Sequence, residues 1–179
     1  MNSTHDPGTK PIPYPPDVVP EAIYGGPNDC YRYSLKLTWN AARPAMMALM
    51  MNPSAAGHTG SDRTVNRAIS FARRWGYGTL FVANSAAYRA TFQETLDTVD
   101  DPVGPDNATA LHAMAQASAL ILAAYGSPKA QSMRGLGLRW ARILAAAGHR
   151  LHVLKLSADG SPWHPLYVKG DTVPVEWVP

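Results

Sequence analysis

Four short apolar runs divide the chain, at residues 45–51, 79–83, 119–124 and 151–156. Each run is far shorter than the roughly 20 apolar residues that a membrane-spanning helix needs. Predominantly apolar runs of this length are typical of β-strands that are buried on both faces. The pattern therefore predicts four interior strands.

Helical patterns separate these strands. Residues 62–75 repeat their apolar side chains with the period of a helix, and either Ser61 or Asp62 is a natural N-cap. Residues 106–117 and 129–147 predict two more helices. Because strands alternate with helices, we expect an α/β fold, a three-layer α/β/α sandwich with a four-stranded parallel core sheet.

The N-terminal part of the chain has a different pattern. Residues 1–29 contain seven prolines, which remove backbone donors and forbid helix, so this part is expected to be an extended or disordered arm. Residues 30–39 carry an apolar side chain at every second position, which predicts an N-terminal edge strand with one side facing water. The expected domain covers residues 30–179.

Composition narrows the function classes only a little. The net charge of +3 permits a polyanionic partner but does not require one. Cys30 is the single cysteine of the sequence, which excludes an internal disulfide, a thiolate zinc cluster and an iron–sulfur cluster. No histidine spacing suggests a metal site, and we expect neither a metal nor a cofactor. A reducing cytoplasm is the simplest expected compartment.

Polar residues follow all four predicted strands, and they define the candidate site. Open parallel sheets bind their ligands beyond the carboxyl ends of the strands, so these four loops are expected to line one pocket. The loops are Asn52-Pro53-Ser54, Asn84-Ser85, Tyr125-Gly126-Ser127 and His164-Pro165-Leu166.

The same loops carry a resemblance to the uracil-DNA glycosylase superfamily. Residues 50–54 resemble the Gly-x-Asn-Pro-Gly motif of its mismatch- and thymine-specific branch. Residues 81–85, which end in Asn84-Ser85, resemble the strand of the uracil-specific branch whose final Asn reads the base. Residues 125–131 are similar to its Trp-Gly-Ser-x-Ala-Gln motif, and residues 164–166 to its His-Pro-Ser-Pro-Leu motif.

A second resemblance covers nearly all of the predicted domain. Residues 51–56, 88–91, 101–105 and 164–167 are similar to motifs of an uncharacterised bacterial and phage family of unknown function. This second resemblance implies no activity, so any function must come from the glycosylase resemblance and from chemistry.

The glycosylase resemblance implies hydrolytic excision of a modified or mismatched base that is flipped out of DNA. Asn52 would hold the attacking water, His164 would donate to the oxygen of the departing base, and Asn84 would read the base edge. In the uracil-specific branch a carboxylate stands at the position of Asn52, so Asn52→Asp is expected to keep part of the activity. Without the resemblance, Asn52 would simply begin a turn before Pro53.

Further substrate contacts are expected in the same loops, each beside a structural alternative. Tyr88 and Tyr125 can stack on a base or pack in the core. Asp62 can touch the substrate, act as a general base or cap a helix, and the cap is the safer interpretation. Arg89 can meet a phosphate or be a solvated loop residue. The remaining candidates for substrate binding are Pro53, Ser54, Gly126, Ser127, Leu166 and Tyr167.

Two other classes of function remain open at this point. One is a binding module that recognises a flipped base or a nucleotide without cutting it. The other is an enzyme that acts on a small nucleoside or nucleotide. The expected partner is DNA, either single- or double-stranded. We expect no association with a membrane. The base, the oligomeric state and the biological role, repair or phage defence, stay open.

Overall fold

A computed structural model describes residues 11–179. It has an α/β fold built around one mixed sheet of seven strands in the order β1-β2-β4-β3-β5-β6-β7. Three α-helices and several short 3-10 helices connect the strands in the described part of the chain. The strands are β1 (Val19–Gly25), β2 (Tyr31–Thr38), β3 (Ala45–Met50), β4 (Thr79–Asn84), β5 (Leu120–Ala123), β6 (Leu151–Val153) and β7 (Val175–Trp177). The helices are α1 (Arg63–Arg74), α2 (Asn107–Gln116) and α3 (Leu136–Ala146).

The four apolar runs form the parallel core of the sheet. β3 pairs in parallel with β4 on one side and with β5 on the other, and β5 pairs in parallel with β6. The predicted four-stranded parallel core is therefore confirmed. Because all four strands point the same way, their carboxyl ends share one edge of the sheet.

Two apolar clusters cover the two faces of the sheet. One contains Val65, Ile69 and Phe71 of α1, packed on alternate residues of the central strands. The other contains Leu111 of α2 and Trp140 of α3, packed on the remaining residues. This division follows from strand geometry, since successive side chains of a strand point to opposite faces.

The outermost strands of the sheet differ from the predicted ones. The segment predicted as the edge strand is β2, which lies inside the sheet because β1 pairs with it over Val19–Gly25. The domain therefore does not begin at residue 30: Val19–Gly25, assigned to the arm, belongs to the sheet. Residues 1–10 of the predicted arm lie outside the described residues. At the other end, β7 pairs antiparallel with β6.

The helix predicted at residues 129–147 is shorter than expected. A 3-10 turn at Gln131–Met133 precedes it, and α3 begins at Leu136. Gly135 stands at the N-cap with φ of 72°, a left-handed conformation that glycine adopts without strain. Among residues 11–179, no helix is long and apolar enough to cross a lipid bilayer.

The alternation of β2 is broken near its start. Ile23 of β1 pairs with Ser34, but the next residue, Tyr24, pairs with Arg32, so the register skips Tyr33. A bulge of this kind shifts the side-chain alternation by one residue. Arg32, which the pattern assigned to the wet side of the strand, is accordingly buried, with 2% of its surface exposed.

Candidate active site

The carboxyl edge of the parallel core carries two adjoining cavities. Asn52, Asn84, Tyr125 and His164 all line the smaller one, which has a volume of about 170 Å³. The four loops that the sequence singled out thus contribute to one cavity. The larger cleft, of about 450 Å³, shares Gln93, Tyr125 and His164 with it.

Asn52 is held by its amide nitrogen. Nδ2 donates to the carbonyl oxygen of Ala90 at 2.7 Å and to that of Pro53 at 3.0 Å. Since only nitrogen can donate, these two bonds fix which end of the amide faces which way. The side-chain oxygen Oδ1 is left as an acceptor for a ligand or a water molecule.

His164 presents a hydrogen-bond donor to the cavity, whereas Asn52 presents an acceptor. Its Nδ1 accepts a long hydrogen bond, 3.4 Å, from the backbone N–H of Leu166. Burial lowers the pKa of His164 below its ordinary value, and the negative charge of Asp62 partly opposes that shift. A neutral imidazole whose Nδ1 accepts carries its proton on Nε2, so His164 offers an Nε2–H donor.

Asn84 is the last residue of β4 and is almost completely buried. Its Oδ1 accepts from the Nη2 of Arg32 at 2.8 Å, and its backbone carbonyl accepts from Nδ2 of Asn107 at 3.0 Å. Two buried polar residues therefore fix both the side chain and the backbone of Asn84 at the strand end.

Asp62 is the N-cap of α1. Its Oδ1 accepts from the backbone N–H of Val65 at 2.8 Å, which satisfies one of the donors that a helix start leaves open. The same side chain lines the smaller cavity and is the one carboxylate among the described residues that do so. The cap is thus observed, and it leaves the second carboxylate oxygen available to the cavity.

Tyr125 forms a wall between the cavities. Its ring packs so closely on α3 that a Cβ built on Gly137 would lie 2.6 Å from ring carbons. Burial raises the pKa of the Tyr125 phenol to about 12, so this hydroxyl remains protonated at neutral pH. The ring is only 7% exposed.

Other predicted site residues are divided between the cavities. Ser54 lines the smaller one. Gly126, Ser127 and Tyr167 line the larger cleft, where the Tyr167 ring is 74% exposed. The two loops that form the cleft are tied together, because the backbone N–H of Gly126 donates to the carbonyl of Pro162 at 3.0 Å.

Four predicted residues do not line either cavity. Tyr88 packs edge-on against Tyr31 with a distance of 5.7 Å between the ring centroids, which agrees with the alternative that it packs in the core. The guanidinium of Arg89 lies over the ring of Tyr24 and donates to a backbone carbonyl. Pro53 is buried and accepts from Ala90 N–H, whereas Leu166 acts through its backbone bond to His164.

Sequence reasoning missed several lining residues, above all Arg32 and Gln93. Arg32 was hidden by the bulge, since a strict alternation places it on the solvent side. Gln93 lies in a 3-10 turn far from any predicted strand end. No local sequence signal marked Arg32, because an arginine between Tyr31 and Tyr33 fits a strand with one side facing water.

Metal ions in proteins are held by sets of histidine, cysteine and carboxylate side chains. Within residues 11–179, no group of three or more histidine, cysteine, aspartate or glutamate side chains is close enough to hold an ion. The polar groups that line the two cavities are amide, imidazole, guanidinium, ammonium, carboxylate and hydroxyl groups.

A family model described as a protein of unknown function, DUF1643, matches residues 32–166. That is 135 of the 179 residues, or about three quarters of the chain. The chain belongs to the DUF1643 family. No curated protein and no solved structure matches it.

The DUF1643 span coincides with the candidate site. It begins at Arg32 and includes every residue that lines the smaller cavity, the last of which is His164. The outermost strands, β1 and β7, lie outside it. The DUF1643 description carries no activity, so function has to be argued from the cavity itself.

Proposed function

We propose that this protein is a DNA glycosylase that hydrolyses the N-glycosidic bond of a modified or mismatched base held in the smaller cavity. The observation that carries the proposal is the opposite polarity of two side chains in one cavity. Asn52 has its nitrogen occupied and its oxygen free, and His164 has Nδ1 occupied and Nε2–H free.

This polarity suits the hydrolysis of a glycosidic bond. As the bond between C1′ and the base nitrogen breaks, positive charge develops on the sugar and negative charge on the base. The Oδ1 of Asn52 can orient a water molecule whose oxygen bonds to C1′, and Asp62 can accept the proton of that water. The Nε2–H of His164 can donate to the base oxygen, where negative charge collects.

The size of the cavity supports a single base as its occupant. A volume of about 170 Å³ lies below the range of sites for drug-sized ligands, which begins near 300 Å³. The larger cleft then remains for the sugar and the flanking phosphates, and the exposed Lys129 lines it.

Exposed apolar side chains near the cleft favour a nucleic-acid partner over a free nucleotide. Phe92 is 65% exposed and precedes Gln93, and Tyr167 is 74% exposed and follows His164. Aromatic rings in this position can stack on unpaired bases, which contributes about 1–3 kcal/mol per base. A free nucleoside bound in the smaller cavity would not need these rings.

The test is a panel of oligonucleotides that each contain one modified or mismatched base. Alkaline cleavage of the products reveals abasic sites, and single-turnover kinetics separates chemistry from binding. Once a substrate is found, His164→Ala should reduce the single-turnover rate by roughly 100- to 1000-fold. Asn52→Ala should also act mainly on the rate and leave the binding of intact DNA nearly unchanged.

Matched controls come from the edge of the sheet where the parallel strands begin, opposite the carboxyl edge that carries the cavities. His149, in the turn that follows α3, and Asn40, in the turn that follows β2, should tolerate alanine without loss of rate. Full rates in both Asn52→Ala and His164→Ala would refute this assignment. Tight binding of an oligonucleotide without abasic product would favour the binding module, and equal binding of a free nucleotide would favour the small-molecule enzyme.

A further inference from the structure

Arg32 is a buried cation in the smaller cavity, and the proposed reaction gives it no role. Its Nη1 donates to the carbonyl oxygen of Ala56, and its Nη2 donates to the Oδ1 of Asn84 at 2.8 Å. In the described chain no carboxylate lies within salt-bridge distance of its guanidinium, and its Nε is sealed from solvent without a partner. Burial lowers its pKa, although Asp62 opposes that shift.

A buried guanidinium without an ion partner costs free energy, because desolvation of the charge opposes folding. Of the two hydrogen bonds that this guanidinium donates, one goes to the side chain of Asn84. The effect on Asn84 is specific. A guanidinium has donors and no acceptor, so the end of the amide that faces Arg32 must be the oxygen.

The flipped orientation of the Asn84 amide is therefore unfavourable. A flip would place the amide NH₂ against the Nη2 of Arg32, two donors facing one another in a buried site. In the described residues Nδ2 makes no hydrogen bond and Asn84 lines the cavity, so the NH₂ is the donor that Asn84 can offer to a ligand.

We infer that Arg32 is a positioning residue that commits Asn84 to donating, and that the cavity consequently selects a base with a keto oxygen. The excluded alternative is the same ring with an exocyclic amino group at that position. The inference rests on the proposed function only for the identity of the ligand as a nucleobase. The Nε2–H of His164 adds to the preference for a keto oxygen, since it and the NH₂ of Asn84 both donate and both need an acceptor on the base.

Two pairs of bases test this directly, because each pair differs by keto against amino at one position. The pairs are uracil with cytosine and hypoxanthine with adenine, and ligand-observed NMR gives their dissociation constants for the full chain. The keto member of each pair should bind at least about tenfold more tightly, since the amino group leaves a buried donor facing a donor.

Variants at both residues make the assignment specific. Asn84→Asp keeps an oxygen for Arg32 but replaces the NH₂ by an acceptor, so it should abolish or reverse the keto preference. Asn40→Asp is the matched control: it adds the same charge to an exposed turn, keeps the Oδ1 that accepts from Ala42 N–H, and should leave the preference unchanged.

Arg32→Met frees the Asn84 amide to rotate and should bring the keto-to-amino ratio close to one, whereas Arg32→Lys, which keeps a donor, should restore part of it. A purely structural role for Arg32 would weaken the binding of both members of a pair equally. If Arg32→Met does not fold, Asn84→Asp still decides the inference.

The inference and the proposed function fail in different ways. Equal affinity within each pair, a keto preference that survives Asn84→Asp, or no binding of any of the four bases would overturn the inference. A keto preference without abasic product from matching oligonucleotides would overturn the proposed function and leave the inference standing. Abasic product from cytosine or adenine sites as rapidly as from uracil or hypoxanthine sites would support the function and overturn the inference.

Discussion

Asp62 carries two separable roles, a helix cap and a charge, and substitution can divide them. Asp62→Asn keeps an oxygen that accepts from the backbone N–H of Val65, whereas Asp62→Ala removes it. Both variants remove the negative charge that raises the pKa of His164 and of Arg32. Comparison of the two variants therefore isolates the cap, and comparison of either with the native protein reports the charge.

The magnitudes follow from these contacts. Loss of an N-cap hydrogen bond costs about 1 kcal/mol, so Asp62→Ala should be less stable than Asp62→Asn by about that amount. For a chain of this length the difference corresponds to roughly 2–4 °C in melting temperature. In both variants the pKa of His164 should fall further below its ordinary value, because burial is then unopposed.

Urea and thermal unfolding measure the first effect, and NMR titration of the His164 ring measures the second. Asp106 provides a matched control, since it is the N-cap of α2 but its side chain makes no capping bond. Asp106→Ala should cost only a few tenths of a kcal/mol. Equal stability of Asp62→Ala and Asp62→Asn would refute the cap, and an unchanged His164 pKa in Asp62→Asn would refute the electrostatic coupling.

Three further predictions concern the walls of the site. The folded pKa of His164 lies below the unfolded value of 6.5, so the unfolded state binds more protons between the two values and stability falls as pH drops through this window. His164→Gln should consequently lose less melting temperature than the native protein between about pH 7.5 and about pH 5; an equal loss would contradict this. Asn52→Asp removes the donors to Ala90 and Pro53 and sets oxygen against oxygen, so, contrary to what the resemblance alone implies, it should lose both stability and any excision, as unfolding and single-turnover assays will report. Gly137→Ala drives a methyl group into the ring of Tyr125 and should cost about 1–3 kcal/mol by urea unfolding; an unchanged midpoint would show that the ring can move aside.

The apolar runs made the core of the fold predictable. The runs at residues 45–51 and 119–124 are uninterrupted because their strands are buried on both faces, and the periodic helices between the runs leave few alternatives to a parallel sheet. The predicted strands at residues 45–51 and 79–83 differ from β3 and β4 by one residue at the carboxyl end. Since parallel pairing brings the carboxyl ends of the strands together, the shared cavity of Asn52, Asn84, Tyr125 and His164 was also accessible from sequence.

The edges of the sheet were less predictable. Val19–Gly25 contains one proline and lies among many others, so local pattern favoured an arm. A strand at this place forms because β2 offers it an unpaired edge, and pairing satisfies backbone groups that no local signal reveals. The same reason accounts for β7, a three-residue strand that forms against β6.

Sequence by itself determined which side chains follow the strands, and therefore which groups meet at the carboxyl edge. Tertiary structure alone decided how those groups are oriented. The bulge opposite Tyr24 turns Arg32 into the cavity, Arg32 in turn fixes the amide of Asn84, and the carbonyls of Ala90 and Pro53 fix that of Asn52. Hydrogen-bond polarity depends on partners distant in the chain, such as Arg32 and Asn84 at a separation of 52 residues, and sequence patterns report only local periodicity.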